Sequence, residues 1–213
     1  MLGLLPIVVN AIFTPMIIGA LVGFREFVKN PVYHVFLYGP YLWSIYDVVF
    51  AYLAFVFFKS EGENIRETLG RVGDKPLLSI TIAIGLVVMC MSLSYGLSLV
   101  FGGYDTSILK ALPLRVVLYL VTIGSIIAGV CEEFTWRGYL LTRLEKLTSK
   151  TVVTVFIQAV LFGFYHGFTM HALSTMIFGL ITGLIYAKSR RLIPLMIGHW
   201  LNNAIGFSIA YLT

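Results

Sequence analysis

Six side chains that can take part in acid–base chemistry or hydrogen bonding lie in a stretch of the chain whose other residues are mostly apolar. They are Glu132, Glu133, Arg137, His166, His199 and Asn203. A carboxylate beside an imidazole can bind a water molecule and remove its proton, which is the chemistry that hydrolysis needs. Because an ionisable side chain inside a membrane span is costly, its presence there is a functional-site hypothesis by default.

The spacing of these residues predicts which of them share a helix face. Glu133 and Arg137 are four residues apart with the glutamate first, which is the favourable order for an ion pair. Glu132 points about 100° away from Glu133, so this ion pair leaves its carboxylate without a counter-charge. His199 and Asn203 have the same spacing and share one face of the last predicted helix.

Glu132 and His166 are predicted to lie at the same depth. Each is 17 residues from Ser149, near which the chain turns between two apolar segments. At about 1.5 Å per residue, both lie roughly 25 Å along their helices from this turn. If the two helices are antiparallel, we expect the two side chains to meet, so that His166 orients a water molecule that Glu132 deprotonates.

The elements that carry these residues are predicted from composition. The chain has 213 residues, of which 59% are hydrophobic and 12% charged, and its mean hydropathy is +0.92. Since soluble domains carry about 25% charged residues, this composition indicates a membrane protein. The sequence predicts an all-α, polytopic transmembrane helix bundle that forms one domain over residues 1–213. Seven spans are expected, with an eighth if Pro40 divides the second: Leu4–Phe24, Tyr33–Phe58, Pro76–Phe101, Leu114–Leu141, Val152–Phe168, Ala172–Ala187 and Leu192–Leu212.

Charges in the loops predict the orientation of the bundle. Basic residues such as Lys59, Arg66, Arg143 and Arg190 concentrate on the side of the N-terminus. The positive-inside rule then places the N-terminus in the cytoplasm and the C-terminus on the opposite side. The net charge of +5 follows from these loops. Because the basic residues are dispersed and no recognition motif occurs, nucleic-acid binding is not expected.

Two local patterns concern how the helices are arranged. Ile65, Leu69 and Val72 recur at helical spacing within the longest polar stretch, which predicts a short helix at the membrane interface. Gly179 and Gly183 form a G-x-x-x-G motif in the sixth span, which indicates close helix packing.

Structural roles account for each polar residue taken singly. A buried Glu–Arg pair can stabilise a fold, a lone histidine can satisfy a backbone carbonyl, and an asparagine can join two helices. Cys131, beside Glu132, has no basic partner close in sequence and is not favoured as a nucleophile. Asp47, in the second span, is ionisable as well, but the sequence does not assign it a role. A non-proteolytic transporter, or an immunity or partner-binding protein, is the alternative function. The inverted repeat frequent in transporters is not found.

Three motifs in order along the chain resemble a known family. EEFTWR fits E-E-x-x-x-R, FGFYH fits F-x-x-x-H and HWLNN fits H-x-x-x-N. This combination resembles the CPBP family of CAAX proteases and bacteriocin-processing enzymes, also called the Abi family, which includes the type II CAAX prenyl endopeptidases. The motifs fall between Gly129 and Phe207, so the resemblance places the catalytic half at about residues 113–212.

The resemblance implies an intramembrane, glutamate-dependent endopeptidase. Glu132 and His166 would then activate water, and His199 with Asn203 would form the oxyanion hole. Glu133 and Arg137 would position the site or the substrate. The implied substrate is a membrane protein or lipidated peptide, either a prenylated CAAX-type C-terminus or a peptide leader, reached within the lipid bilayer.

A metal-dependent form of the same protease stays an alternative. Two carboxylates and two imidazoles match the ligand types of Zn²⁺. However, the chain has no H-E-x-x-H motif, and Glu132 and Glu133 diverge by about 100° on a helix, which hinders binding of one ion by both. We therefore expect no metal cofactor.

Overall fold

The computed structural model describes residues 3–70, 75–101 and 106–213 and contains helices but no strands in that part of the chain. We number the helices in chain order. They are α1 Leu5–Val22, α2 Phe24–Lys29, α3 Pro31–Ser60, α4 Ile65–Leu69, α5 Pro76–Phe101, α6 Ser107–Ala111, α7 Leu114–Thr148, α8 Thr151–Tyr165, α9 Met170–Ser189 and α10 Leu192–Leu212.

Six of these helices are long and apolar enough to cross a membrane, namely α1, α3, α5, α7, α9 and α10. The protein is therefore a multi-pass, all-α membrane bundle, as its composition predicts. The fifth predicted span is present as α8, but this helix has only 15 residues. At about 1.5 Å per residue it is roughly 22 Å long, which is less than the roughly 30 Å of a bilayer core.

Two prolines affect the long helices differently. The predicted break at Pro40 is not found, because α3 continues through it for 30 residues. Near Pro15 in α1, by contrast, residues Val9–Phe13 have π-helical geometry. Proline has no amide hydrogen to continue the regular ladder, and a widened turn is one way for the backbone to accommodate it.

Glycines allow the closest helix contacts. α8 and α9 pack as an antiparallel pair. A Cβ atom on Gly179 would lie 3.1 Å from Ala159 Cα, and one on Gly183 would lie 2.9 Å from Val155 Cγ1. The close packing predicted from these two glycines is confirmed. Gly129 plays the same part between α7 and α10, where a Cβ atom would lie 2.8 Å from the Trp200 backbone nitrogen.

The loop side that carries the N-terminus is closed by polar contacts. Tyr186 on α9 donates a hydrogen bond of 3.1 Å to the Thr68 carbonyl, which holds α4 against the bundle. Arg190 forms a bidentate pair with Glu145 at 2.8 and 2.9 Å. The short helix predicted from Ile65 and Leu69 is present as α4, and Val72 lies outside the described residues. Its position at the membrane interface stays a prediction.

Candidate active site

Helix α7 carries three of the candidate residues, and its geometry changes where they lie. The helix is α-helical over Ser125–Glu133 and π-helical over Phe134–Leu141. Wider π-helical turns often occur at functional sites, because they change the direction in which neighbouring side chains point. Glu132 and Glu133 thus lie at the end of the regular segment, and Arg137 lies within the wider one.

Glu132 lies between two imidazole rings. Its Oε2 atom is 3.8 Å from Nε2 of His166 and 3.9 Å from Nε2 of His199. Glu132 is 6% exposed, and this oxygen makes no hydrogen bond to the described part of the chain. Both distances exceed a direct hydrogen bond and suit contacts that pass through one water molecule. The Nε2 atoms of both histidines therefore lie close to the same carboxylate oxygen of Glu132.

His166 is oriented by the end of α8. Its Nδ1 atom lies 2.9 Å from the Phe162 carbonyl oxygen. Because a carbonyl can only accept, Nδ1 carries the proton, and Nε2 of the neutral ring is left as an acceptor facing Glu132. The helix ends here, since Gly167 follows with φ of +100°, a backbone conformation that glycine adopts readily. The predicted proximity of Glu132 and His166 is found.

His199, Glu133 and Arg137 form a continuous buried chain. His199 Nδ1 lies 2.9 Å from Glu133 Oε1, and Arg137 Nη1 lies 3.2 Å from the same oxygen. Glu133 and Arg137 are 0% exposed. The i,i+4 ion pair that the sequence predicts is formed. Glu133 thus contacts Arg137 and His199, whereas Glu132 lies near the Nε2 atoms of both imidazoles.

The Arg137 guanidinium also contacts aromatic faces. Its Cζ lies 4.2 Å from the ring centre of Phe162 and 5.4 Å from that of Phe178. Such cation–π contacts stabilise a positive charge removed from water. Phe162 also packs edge-on to His166, with ring centres 4.7 Å apart, so one phenyl ring contacts both Arg137 and a histidine of the site.

Asn203 differs from the other candidates in its contacts. It follows His199 by one turn of α10 and is partly buried. Within the described residues, no hydrogen bond joins Asn203 to Glu132, His166 or His199. The structure therefore brings five of the six predicted residues together, and Asn203 lies beside them on the same helix as His199.

Sequence spacing gave no role to two further polar groups near the site. Asp47 on α3 is 6% exposed and accepts a 2.8 Å hydrogen bond from the hydroxyl of Tyr165, the residue before His166. His171 lies in the first turn of α9, with its ring centre 5.5 Å from that of His166. Both contacts are long-range or lie across a turn, and helical periodicity does not reveal them.

The candidate donor atoms are spaced more widely than the ligands of a metal centre. In a tetrahedral zinc site with bonds of about 2.0–2.1 Å, ligand atoms lie roughly 3.4 Å apart. Here both imidazole nitrogens are farther than that from one oxygen of Glu132, while Glu133 is paired with Arg137 and His199. No group of three His, Cys, Asp or Glu side chains in residues 3–70, 75–101 and 106–213 is arranged to hold a metal ion.

Comparison with known protein families matches part of the chain to a family model. Residues 114–205 match the family model described as "Type II CAAX prenyl endopeptidase Rce1-like". This segment contains all three motifs, and the match confirms the resemblance to the CPBP family. No curated protein and no solved structure matches the chain significantly.

Proposed function

We propose that this membrane protein is an intramembrane endopeptidase that hydrolyses a peptide bond with Glu132 as the general base. The observation that carries the proposal is the position of Glu132 Oε2, buried and within 4 Å of the Nε2 atoms of His166 and His199. The family match supports peptide hydrolysis as the reaction type.

The first step is water activation between Glu132 and His166. A water molecule between Oε2 of Glu132 and Nε2 of His166 donates one hydrogen to each, because both atoms are acceptors. Its lone pair is then free to attack the carbonyl carbon of the substrate, and its proton passes to Glu132. In the second step the protonated Glu132 gives this proton to the leaving amine as the C–N bond breaks.

The developing oxyanion needs hydrogen-bond donors, and we assign this part to His199 and Asn203. Nδ1 of His199 donates to Glu133, so donation to the oxyanion uses Nε2 and requires the doubly protonated ring. The Glu133 carboxylate keeps this ring in a fixed orientation. The Asn203 amide lies one turn farther along α10 and would complete the pair when substrate is bound.

We propose a metal-independent reaction, because the donor geometry suits water held by a carboxylate and an imidazole. The family description also suggests the substrate, a prenylated CAAX-type C-terminus, with peptide leaders as the alternative. With the predicted orientation, in which the N-terminus of this protein is cytoplasmic, a substrate whose C-terminus lies in the cytoplasm would be able to reach the site.

The test uses the purified chain in proteoliposomes and two internally quenched peptides of one CAAX sequence, one farnesylated and one not. Glu132→Gln and Glu132→Ala should lower kcat by about 10²–10⁴-fold, the usual range for removing a general base. The matched control is Glu145→Gln, which removes a carboxylate paired with Arg190 outside the site. Turnover by Glu132→Gln equal to that of wild type would refute the assignment.

Two further arms decide the substrate and the cofactor. Faster cleavage of the farnesylated peptide supports a prenylated substrate, while equal cleavage of both peptides points to a general peptidase. Undiminished activity after incubation with a chelator supports the metal-independent reaction. Loss of activity that added Zn²⁺ restores would contradict it.

A further inference from the structure

Asp47 is a buried carboxylate for which the proposed reaction has no use. It lies in the middle of α3, outside the segment that matches the family model, and is 6% exposed. Its Oδ1 atom accepts a 2.8 Å hydrogen bond from the Tyr165 hydroxyl, which is also buried. Burying a carboxylate costs free energy unless the group is hydrogen-bonded. The hydrogen bond of Asp47 to Tyr165, the residue before His166, therefore suggests that Asp47 serves the site.

Tyr165 is held a second time, through its backbone. The carbonyl oxygen of Tyr165 accepts a 2.8 Å hydrogen bond from Asn10 Nδ2 on α1. Carbonyls in the last turn of a helix lack an intrahelical partner, and Asn10 supplies one at the end of α8. The Asn10 amide is itself fixed, because its Oδ1 accepts from Trp43 Nε1 at 2.9 Å and from Thr14 Oγ1 at 3.0 Å.

These contacts fix the position of His166, the next residue in the chain. Its ring packs edge-on to the ring of Tyr165, with centres 5.2 Å apart, and its Nδ1 bonds to the Phe162 carbonyl. Beyond it Gly167 leaves the helix with positive φ. The α-helix ends at Tyr165, and beyond it two turn-type backbone hydrogen bonds of 3.0 Å follow, from His166 N to Gly163 O and from Gly167 N to Phe164 O. The two contacts to Tyr165 add a connection from this helix end to α1 and α3.

We propose that Asp47 is a positioning residue, which together with Asn10 holds Tyr165 and thereby keeps Nε2 of His166 opposite Glu132. The inference rests on the proposed function, because His166 is taken to orient the attacking water. It assigns part of the site to α1 and α3, which lie before the matched segment. Effective catalysis needs reacting groups aligned to a fraction of an ångström, so loosening His166 should lower kcat more than substrate binding.

The test compares four variants on the farnesylated peptide in proteoliposomes. Tyr165→Phe removes a single oxygen atom and Asp47→Ala removes the acceptor, whereas Asp47→Asn keeps an acceptor oxygen and loses the charge. The matched control is Ser44→Ala, since Ser44 is buried on the same helix and its hydroxyl bonds only to the Pro40 carbonyl within the described part.

We expect Tyr165→Phe and Asp47→Ala to lower kcat by roughly tenfold with KM within about twofold of wild type, the pattern of a lost alignment rather than lost binding. Asp47→Asn should retain most of the wild-type kcat, and Ser44→Ala should match wild type. Wild-type kcat in Tyr165→Phe would overturn the proposal. An Asp47→Asn variant as slow as Asp47→Ala would also overturn it, because the charge and not the hydrogen bond would then matter.

A measurement without turnover separates this inference from the proposed function. The rate at which diethyl pyrocarbonate modifies His166, followed by mass spectrometry, should rise in Tyr165→Phe and stay at the wild-type value in Ser44→Ala. An unchanged rate in Tyr165→Phe would reject the positioning role even if no peptide is cleaved. If the Glu132 variants lose activity while Tyr165→Phe keeps it, only the inference fails.

Discussion

Glu133 Oε1 and His199 Nδ1 lie 2.9 Å apart in the interior of the bundle, and the same oxygen lies 3.2 Å from Arg137 Nη1. One carboxylate oxygen therefore orients a histidine of the site and neutralises a buried guanidinium. The adjacent glutamate, Glu132, takes no part in this pairing, as its proposed role as general base requires.

Replacement of Glu133 by Gln keeps its size and removes its charge. We expect kcat to fall by about 10²–10³-fold, the cost of losing one oxyanion donor, because His199 is no longer held by an acceptor of full charge. Stability should fall as well, by about 3–5 kcal/mol, since Arg137 is left as an unpaired buried charge. Peptide kinetics and thermal unfolding measure the two effects, with Glu145→Gln as control. A stable variant with wild-type kcat would contradict the arrangement.

Asn203 is assigned to the oxyanion hole, and Asn202 provides a control on the neighbouring face of α10. Asn203→Ala should lower kcat by about 10²–10³-fold with a small change in KM, because the donor acts in the transition state. Asn202→Ala removes the side-chain amide of the preceding residue and should leave kcat nearly unchanged. Equal kinetics for the two variants would remove Asn203 from the mechanism.

Gly129 is a point of close approach between α7 and α10 near the site. A Cβ atom there would lie 2.8 Å from Trp200 N and 2.9 Å from Met196 O, both backbone atoms that cannot move independently. We expect Gly129→Ala to destabilise the protein by about 1–3 kcal/mol, the usual cost of overpacking. It should also displace His199 and lower kcat.

The control for this substitution is Gly96→Ala, because no atom lies within 4 Å of a Cβ placed on Gly96. That variant should unfold at the wild-type temperature or slightly above, since alanine favours a helix over glycine by up to about 1 kcal/mol. Thermal unfolding of both variants in detergent gives the comparison. Equal stability would mean that α7 and α10 are not in such close contact.

Glu63, in the loop after α3, links this loop to the end of α7. Its hydrogen bond with Lys146, assisted by the charge of Arg143, lowers the pKa of the carboxyl from its ordinary value of 4.5. A lowered pKa means that the pairing stabilises the folded state above the unfolded value and that this contribution is lost as pH falls through the folded value. Wild type should therefore exceed Glu63→Gln in stability at pH 7, and the two should converge below pH 4.5.

The size of this difference should be under about 1 kcal/mol, because exposed ion pairs are screened by water and salt. Thermal unfolding at several pH values measures it, and added salt should shrink it. If the difference in the free energy of unfolding between wild type and Glu63→Gln grows as the pH falls, the predicted sign of the effect is wrong.

Sequence periodicity was sufficient for contacts within one helix and for contacts set by helix lengths. The Glu133–Arg137 pair follows from i,i+4 spacing, and the meeting of Glu132 with His166 follows from equal distances to the turn near Ser149. The all-α membrane bundle follows from composition. These features depend only on the geometry of a helix, which is the same in every protein.

Contacts between distant segments were not predictable in this way. The Tyr165–Asp47 bond joins residues 118 apart, and the Tyr165–Asn10 bond joins residues 155 apart. Which helices become neighbours depends on side-chain packing over the whole bundle, and periodicity carries no information about it. The early end of α8 was missed for a related reason, because the apolar run continues to Phe168 while Gly167 turns the backbone.

The hydrogen bond from Asn10 to the Tyr165 carbonyl connects the start of the chain to the recognisable motifs. A fragment or chimera joined at residue 113 would inherit every signature residue and yet leave the end of α8 without its two anchors. Engineering that transplants this site into another scaffold should therefore move α1 and α3 together with the segment that carries the motifs. Searches that score only the motif segment would not include the Asn10 and Asp47 contacts to Tyr165.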